Sequence, residues 1–218
     1  MENGEYRIYI PTKIWRAERS TDDLEALEIK VKAAEFSTTF NSSQKERTEN
    51  IKLSSNMLRG HIITPGEVFS FNDVVGERTG EKGYREAPIF VKNDVVPGIG
   101  GGICQVSSTL YNLALLTEVE IVERLNHSLP VSYVPLGRDA TVDYDFIDFK
   151  FKNTTGSYLL LDSYVKDNTL TISFFSSEIL TKDAKFHSET IKTIPPTVTI
   201  KKDYNLNKGD VRIKQGNP

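Results

Sequence analysis

The stretch from Gly98 to Leu116, GIGGGICQVSSTLYNLALL, is a glycine-rich turn running straight into an amphipathic helix, with the only cysteine of the chain, Cys104, at the join. Three consecutive glycines, Gly100, Gly101 and Gly102, permit positive φ and close backbone approach, so their amides can turn inward around an anion or a developing oxyanion. From Ile103 the pattern is helical. Val106, Leu110, Leu113 and Ala114 fall on one buried stripe, and Cys104, Ser108, Tyr111 and Leu115 fall on a second, nearly opposite one. The expectation is a helix that divides a core from a cleft and turns Cys, Ser and Tyr toward the cleft. A thiol in the first turn of a helix also meets the positive end of its dipole, which favours thiolate. The blander reading is that a free cysteine packs as a small hydrophobe and that the glycines only allow close packing.

A nucleophile needs a base, and the next segment supplies one. Val119 to Leu125 alternates as a strand, with His127 just past its end, twenty-three residues after Cys104. A helix of about 13 residues and a strand of about 6 are each ~20 Å long, so an antiparallel return brings His127 back to Cys104. Beyond a proline-bounded loop, Pro130 to Arg138, come Asp139, Asp143, Asp145 and Asp148. Asp139 and Asp143 are the candidates for the carboxylate that would fix the imidazole tautomer, and Arg138 could bind a carboxylate bidentately. The aspartates lack the glycine and terminal glutamate of a helix-loop-helix calcium site, and no metal or cofactor is expected.

The flanking pattern is that of an α+β protein: two main helices on a largely antiparallel sheet, with Cys104 at the N-terminus of the central helix. Glu5 to Ile14 reads as an edge strand or arm, Ser20 to Asp22 as the start of a short helix, and Val31 to Phe40 as a strand. Ser43 and Glu46 form a capping-box pattern opening the other main helix, which runs to about Arg59 with Gly60 as its stop. Thr64-Pro-Gly-Glu67 reads as a type II turn in a hairpin, 76–83 as a polar loop, and Ala87 to Val96 as a hairpin turning at Asn93-Asp94. From Asp148 the chain reads as an antiparallel meander ending near Phe175, with Val198 to Ile213 as further strand in a polar tail.

Composition excludes several classes. A net charge of −3 gives no electrostatic footprint for nucleic acid, and one cysteine excludes a disulfide framework. No apolar run approaches the ~18 residues of a membrane-spanning helix. The glycine run lacks the Gly-Lys-Ser/Thr of a phosphate-binding loop, and no G-x-S-x-G elbow is present.

The blocks PGEVFSFNDVVGERTGEKGYREAPIF, GGGICQVSSTLYNLAL, IVERLNHS and YVPLGRDATVDYDFIDFKFKN together resemble the VanW family, named from vancomycin-resistance gene clusters. The likeness runs from about Phe36 to Phe175, roughly two thirds of the chain. IPTKIWRAERSTDDLEALEI resembles the exit of a peptidoglycan-binding domain, and PPTVTIKKDYNLNKGDVRIKQGNP the lead into a small all-β domain named for its glycines. The resemblance therefore implies three parts: an arm over 1–35, a VanW-like domain over 36–176, and an extended β tail or linker over 177–218. It further implies a piece of a longer protein on the extracellular face of a Gram-positive cell envelope, anchored to the membrane through a segment outside this chain.

The resemblance carries no established reaction, so chemistry rests on the residues. The order Cys then His, with Cys at a helix start, is similar to NlpC-type, CHAP and transglutaminase-like enzymes and departs from the Ser-His-Gly-Cys block of L,D-transpeptidases. One expectation is a thiol hydrolase or acyltransferase acting on peptidoglycan or its peptide precursors. In it Cys104 is the nucleophile, His127 the base, and Asp139 or Asp143 the orienter. Amides from Gly101 and Gly102 to Cys104 line the oxyanion hole, and Ser108, Tyr111 and Arg138 contact substrate. The other expectation, from a different class, is a non-catalytic wall-binding or scaffold module using the same pocket.

Overall fold

The computed structural model of the chain describes residues 21–91, 94–181, 198–201 and 212–215. The strand expected over Glu5 to Ile14 lies outside them. In chain order the elements are α1 (Thr21–Ala26), β1 (Val31–Thr39), α2 (Lys45–Leu58), β2 (Ile62–Ile63), β3 (Val68–Ser70), α3 (Phe71–Val75), β4 (Glu86–Val91), β5 (Asp94–Ile99), α4 (Ile103–Leu116), β6 (Glu120–Glu123), β7 (Lys150–Lys152), β8 (Leu159–Lys166), β9 (Thr169–Ser176), β10 (Val198–Lys201) and β11 (Arg212–Gln215). The class is α+β, with two long helices and antiparallel sheets, as the sequence indicates.

The main sheet has the order β1-β9-β8-β2, all neighbours antiparallel. Its strands alternate apolar and polar side chains: Leu170, Ile172 and Phe174 of β9 and Leu159 and Leu161 of β8 point to one face and are fully buried, while Thr171 and Ser173 are buried on the other face of β9. On that face α2 packs against β8, α4 packs against β1 and β9, and the two helices touch each other. The stripe Val106, Leu110, Leu113 and Ala114 is completely buried, each large apolar side chain contributing about 1.5–3 kcal/mol. Polar pairs inside the interface are matched: Ser55 Oγ meets Ser163 Oγ at 2.6 Å, and Thr38 Oγ1 meets Thr109 Oγ1 at 2.8 Å. Matched hydroxyls avoid the cost of burying an unsatisfied polar group.

A second sheet, β3-β7-β6, stands beside the first. Phe151 joins the two, stacked on Phe69 at 4.9 Å between centroids and edge-on to Phe174 at 5.8 Å. Here the structure corrects two expectations. Thr64 to Glu67 does form a tight turn, with Gly66 at φ +82° and the Glu67 amide donating to the Thr64 carbonyl. It is no hairpin, because β2 leaves it for the main sheet and β3 for the second. Likewise β7 does not continue into the β8–β9 meander but pairs with β3 and β6. Each of these crossings depends on pairing at long range, which local alternation does not encode.

A third correction concerns α2. Its N-cap is Gln44 and no side chain caps it, while the Ser43 amide instead donates to Asn41 Oδ1, so the capping box does not form. Gly60 takes φ +82° just past the helix, as a C-terminal stop requires. The expected hairpin before the central helix is present as β4 and β5, paired from Glu86–Ile99 to Val91–Asp94. In the tail, β10 and β11 form an antiparallel pair of their own. Among the described residues no helix is long and apolar enough to cross a membrane.

Candidate functional site

The site forms where three parts of the chain converge on the first turn of α4. The base of the β4–β5 hairpin forms one wall, α2 and the segment after α3 a second, and the segment 125–147 a third, around a cleft of about 710 Å³. Glycine is obligatory at the hairpin junction. A Cβ on Gly101 would lie 2.5 Å from the Pro88 carbonyl oxygen, and Gly102, the N-cap of α4, has φ +109°. The amides of Gly101, Gly102 and Cys104 make no backbone hydrogen bond among the described residues. They are the orphan donors that a helix N-terminus leaves beside its first side chains.

Cys104 is half-buried at this turn, and its thiol donates weakly to the Val142 carbonyl at 3.5 Å. His127 faces it from the opposite wall, delivered by β6 and held by the bridge between Leu125 and Thr141. The imidazole is almost completely enclosed, and its Nδ1 lies 2.6 Å from Asp139 Oδ2. The same oxygen accepts the His127 backbone amide at 2.6 Å, while Asp139 Oδ1 accepts from Arg124 at 3.1 Å. An ionised carboxylate can only accept, so it places a proton on Nδ1 and leaves Nε2 as the ring edge not spent on Asp139.

Electrostatics follow from that arrangement. Burial alone would lower the His127 pKa, but the hydrogen bond with the Asp139 carboxylate, with the nearby Cys104 sulfur acting in the same direction, raises it to about 9. Burial would raise Asp139, but the two hydrogen bonds from His127 and its charge hold the carboxyl below its ordinary value. Tyr133, on the loop beside them, is pushed well up by its burial and by the charge of Cys104, so its phenol stays protonated.

The remaining expected site residues are placed as follows. Asp143 lines the cleft, but its backbone pairs with Ile147 and its carboxylate forms no ion pair with His127 among the described residues. Ser108 is completely buried against Ala140, accepting its amide at 2.9 Å. Tyr111 packs edge-on to Phe149 with Arg124 over its ring, and Arg138 donates to Asn112 Oδ1 at 2.6 Å and covers Phe36. None of Ser108, Tyr111 and Arg138 lines the cleft. Ser107, Ser108 and Asn112 of α4 are covered by residues 138–140, so only the first turn of that helix reaches the cleft.

Four residues belong to the site without having been singled out from the sequence. Arg124 braces Asp139 through both its carboxylate and its carbonyl. Arg47 and Arg78 line the cleft near Cys104, and Gln105 orients the first of them, accepting from Arg47 Nη2 at 2.7 Å while donating to Thr38 and Thr39. Arg78 and Arg124 sit inside the distinctive blocks GERTG and ERLNHS, which is the signal that could have marked them. Among the described residues no cluster of His, Cys, Asp and Glu could hold a metal ion.

The family model described as VanW like protein matches residues 46–175, which contain all of these side chains. The chain is 45% identical over 146 residues to a protein of Bacillus subtilis (strain 168) named Uncharacterized protein YoaR, covering 67% of this chain and 48% of that one. It is 32% identical over 117 residues to Vancomycin B-type resistance protein VanW of Enterococcus faecalis (strain ATCC 700802 / V583), covering 51% of this chain and 42% of that protein. The matched region thus spans less than half the length of each relative. No solved structure matches the chain.

Proposed function

The chain belongs to the VanW family, and from that membership and the geometry of its cleft we propose that it is a thiol enzyme acting on an amide or ester of the cell envelope. The single observation that carries the reading is His127, bound to Asp139 through Nδ1 and lining the same cleft as Cys104. The substrate class proposed is peptidoglycan or its peptide precursors. It is supported by the relative named for vancomycin resistance, and a place on the outer face of the envelope is part of the same proposal.

In the proposed reaction Cys104, as thiolate, attacks the substrate carbonyl carbon and its electron pair forms the C–S bond. The oxyanion that develops is met by the free amides at Gly101, Gly102 and Cys104. Imidazolium His127 then gives its Nε2 proton to the leaving amine or alcohol as the C–N or C–O bond breaks, leaving a thioester. Water or a second amine attacks the thioester, gives its proton back to His127 and releases the thiolate. Asp139 holds the ring and stabilises its charged form throughout. In this scheme hydrolysis and acyl transfer differ only in which acceptor enters the cleft.

The test is mass spectrometry of the protein after incubation with purified muropeptides and with simple peptide esters. An acyl adduct on Cys104, absent from Cys104→Ala and accumulating when attack on the thioester is slowed, supports the reading. A second reading, a wall-binding module, draws on the Cys104 thiol's contact with the Val142 carbonyl, which gives it a resting role in packing. Retention of muropeptides by Cys104→Ala as strong as by wild type, with no adduct and no turnover in wild type, would select that reading.

A further inference from the structure

Two arginines reach the cleft from elements far apart in the chain, Arg47 from α2 and Arg78 from just beyond α3, and neither forms a salt bridge among the described residues. Half-buried arginines ordinarily sit against a carboxylate, because a charge taken out of water needs compensation. Here Arg47 spends Nη2 on the neutral amide oxygen of Gln105, and Arg78 spends Nη2 on Asn72 Oδ1 at 2.7 Å. The Arg78 plane lies 5.6 Å from the centroids of both Phe71 and Tyr144, and Asn72 is itself anchored by donating to the Ile147 carbonyl. The guanidinium is thus fixed in place with its Nε and Nη1 sealed from solvent and without an acceptor among the described residues. Asp148 and Asp143 act on it through charge alone, with no ion pair to either among the described residues, although Glu77, Asp143 and Asp145 also line the cleft. Burial draws both arginines below their ordinary pKa, as expected of partly desolvated cations that no carboxylate pairs directly among the described residues.

We propose that Arg78, seconded by Arg47, is a carboxylate receptor, so that the ligand of this cleft is a peptide presenting a free carboxylate beside the bond or group that meets Cys104. A guanidinium N–H without an acceptor takes a carboxylate oxygen in a charge-assisted hydrogen bond. The walls that remain, Pro88, Ile89, Ile99 and Leu125 among them, suit the apolar part of a short peptide. This places carboxylate recognition at Arg78 rather than at Arg138, whose guanidinium is committed to Asn112 and Phe36. The proposal deepens the reading above and rests on the same cleft as the substrate's seat, but it does not require turnover.

The experiment compares alkylation of Cys104 in the full chain by iodoacetate, which carries a carboxylate, and by neutral iodoacetamide. The ratio of the two rates is expected to exceed that of a free thiol by about tenfold, to collapse in Arg78→Gln, and to persist in Arg78→Lys and Arg138→Gln. A ratio that Arg78→Gln leaves unchanged overturns the proposal. Should Arg78→Gln fail to fold, wild type alone decides. N-acetylalanine is expected to slow alkylation and its amide not to, whereas equal protection, no protection, or stronger protection by inorganic phosphate overturns the assignment. Slow reaction with both reagents, unaffected by His127→Ala, would instead defeat the nucleophile reading, while the ratio would still report on Arg78.

Discussion

Asp139 Oδ2 accepts two hydrogen bonds from His127, one from the ring at Nδ1 and one from the backbone amide, each 2.6 Å long. One carboxylate oxygen therefore fixes both where the histidine's main chain stops and which way its ring points. Arg124 braces the other oxygen. The sequence left Asp139 and Asp143 as alternatives for this carboxylate, and the geometry puts Asp139 against His127.

Asp139→Asn keeps the shape but removes the carboxylate charge that stabilises the imidazolium, and an amide nitrogen presented to Nδ1 would make that nitrogen accept instead of donate. Turnover, or acyl-adduct formation on Cys104, is expected to fall by about 10²- to 10⁴-fold with little loss of folding. Nitrogen chemical shifts of His127 against pH provide a second reading, with the midpoint moving down from about 9 toward the ordinary value of 6.5. An unchanged midpoint would show that Asp139 does not hold the charge.

The raised His127 value also makes stability depend on pH. A histidine whose pKa rises on folding binds its proton more tightly in the folded state, so its contribution is fully present below the unfolded value of about 6.5. That contribution is lost as pH rises through the folded value of about 9. Melting temperature is accordingly expected to decline between pH 6.5 and 9 in wild type. The decline should be shallower in His127→Ala and in Cys104→Ala, because the cysteine's charge is among the causes of the shift. Equal slopes in all three proteins would refute the linkage.

Gly101→Ala tests the junction between the hairpin and α4. The added methyl would meet the Pro88 carbonyl oxygen at 2.5 Å and the Ala87 carbonyl at 2.8 Å, backbone atoms that cannot rotate aside. Overpacking of this kind costs about 1–3 kcal/mol, and the hairpin must shift away from Cys104 to relieve it. Both a lower melting temperature and slower Cys104 chemistry are expected. An alanine variant as stable and as reactive as wild type would mean that the glycines serve neither packing nor the amide pocket.

These relationships divide by how far they reach along the chain. The buried stripe of α4, the β8–β9 pair and the placement of Cys104 at a helix start were legible, because each depends on periodicity or on residues next to one another. The partner of His127 was half legible: strand length brings the histidine back, but the choice of Asp139 depends on the loop closed by the Leu125–Thr141 bridge. The outward face of α4 misled. Ser108 and Tyr111 alternate like cleft residues, yet Ala140 folds over the first and Phe149 and Arg124 pack on the second, which no helical period can reveal. Arg47 and Arg78 were hidden for the same reason, since each lies in a polar segment whose position against Cys104 is set only by tertiary packing.

The most direct measurement is the rate of Cys104 alkylation by iodoacetamide near neutral pH, in wild type and in His127→Ala. The account expects a fast reaction in wild type that falls by about tenfold or more in the variant, because the imidazole holds the thiolate. A slow reaction in wild type that His127→Ala leaves unchanged would contradict it, and Cys104 would then be a packing residue beside a binding cleft.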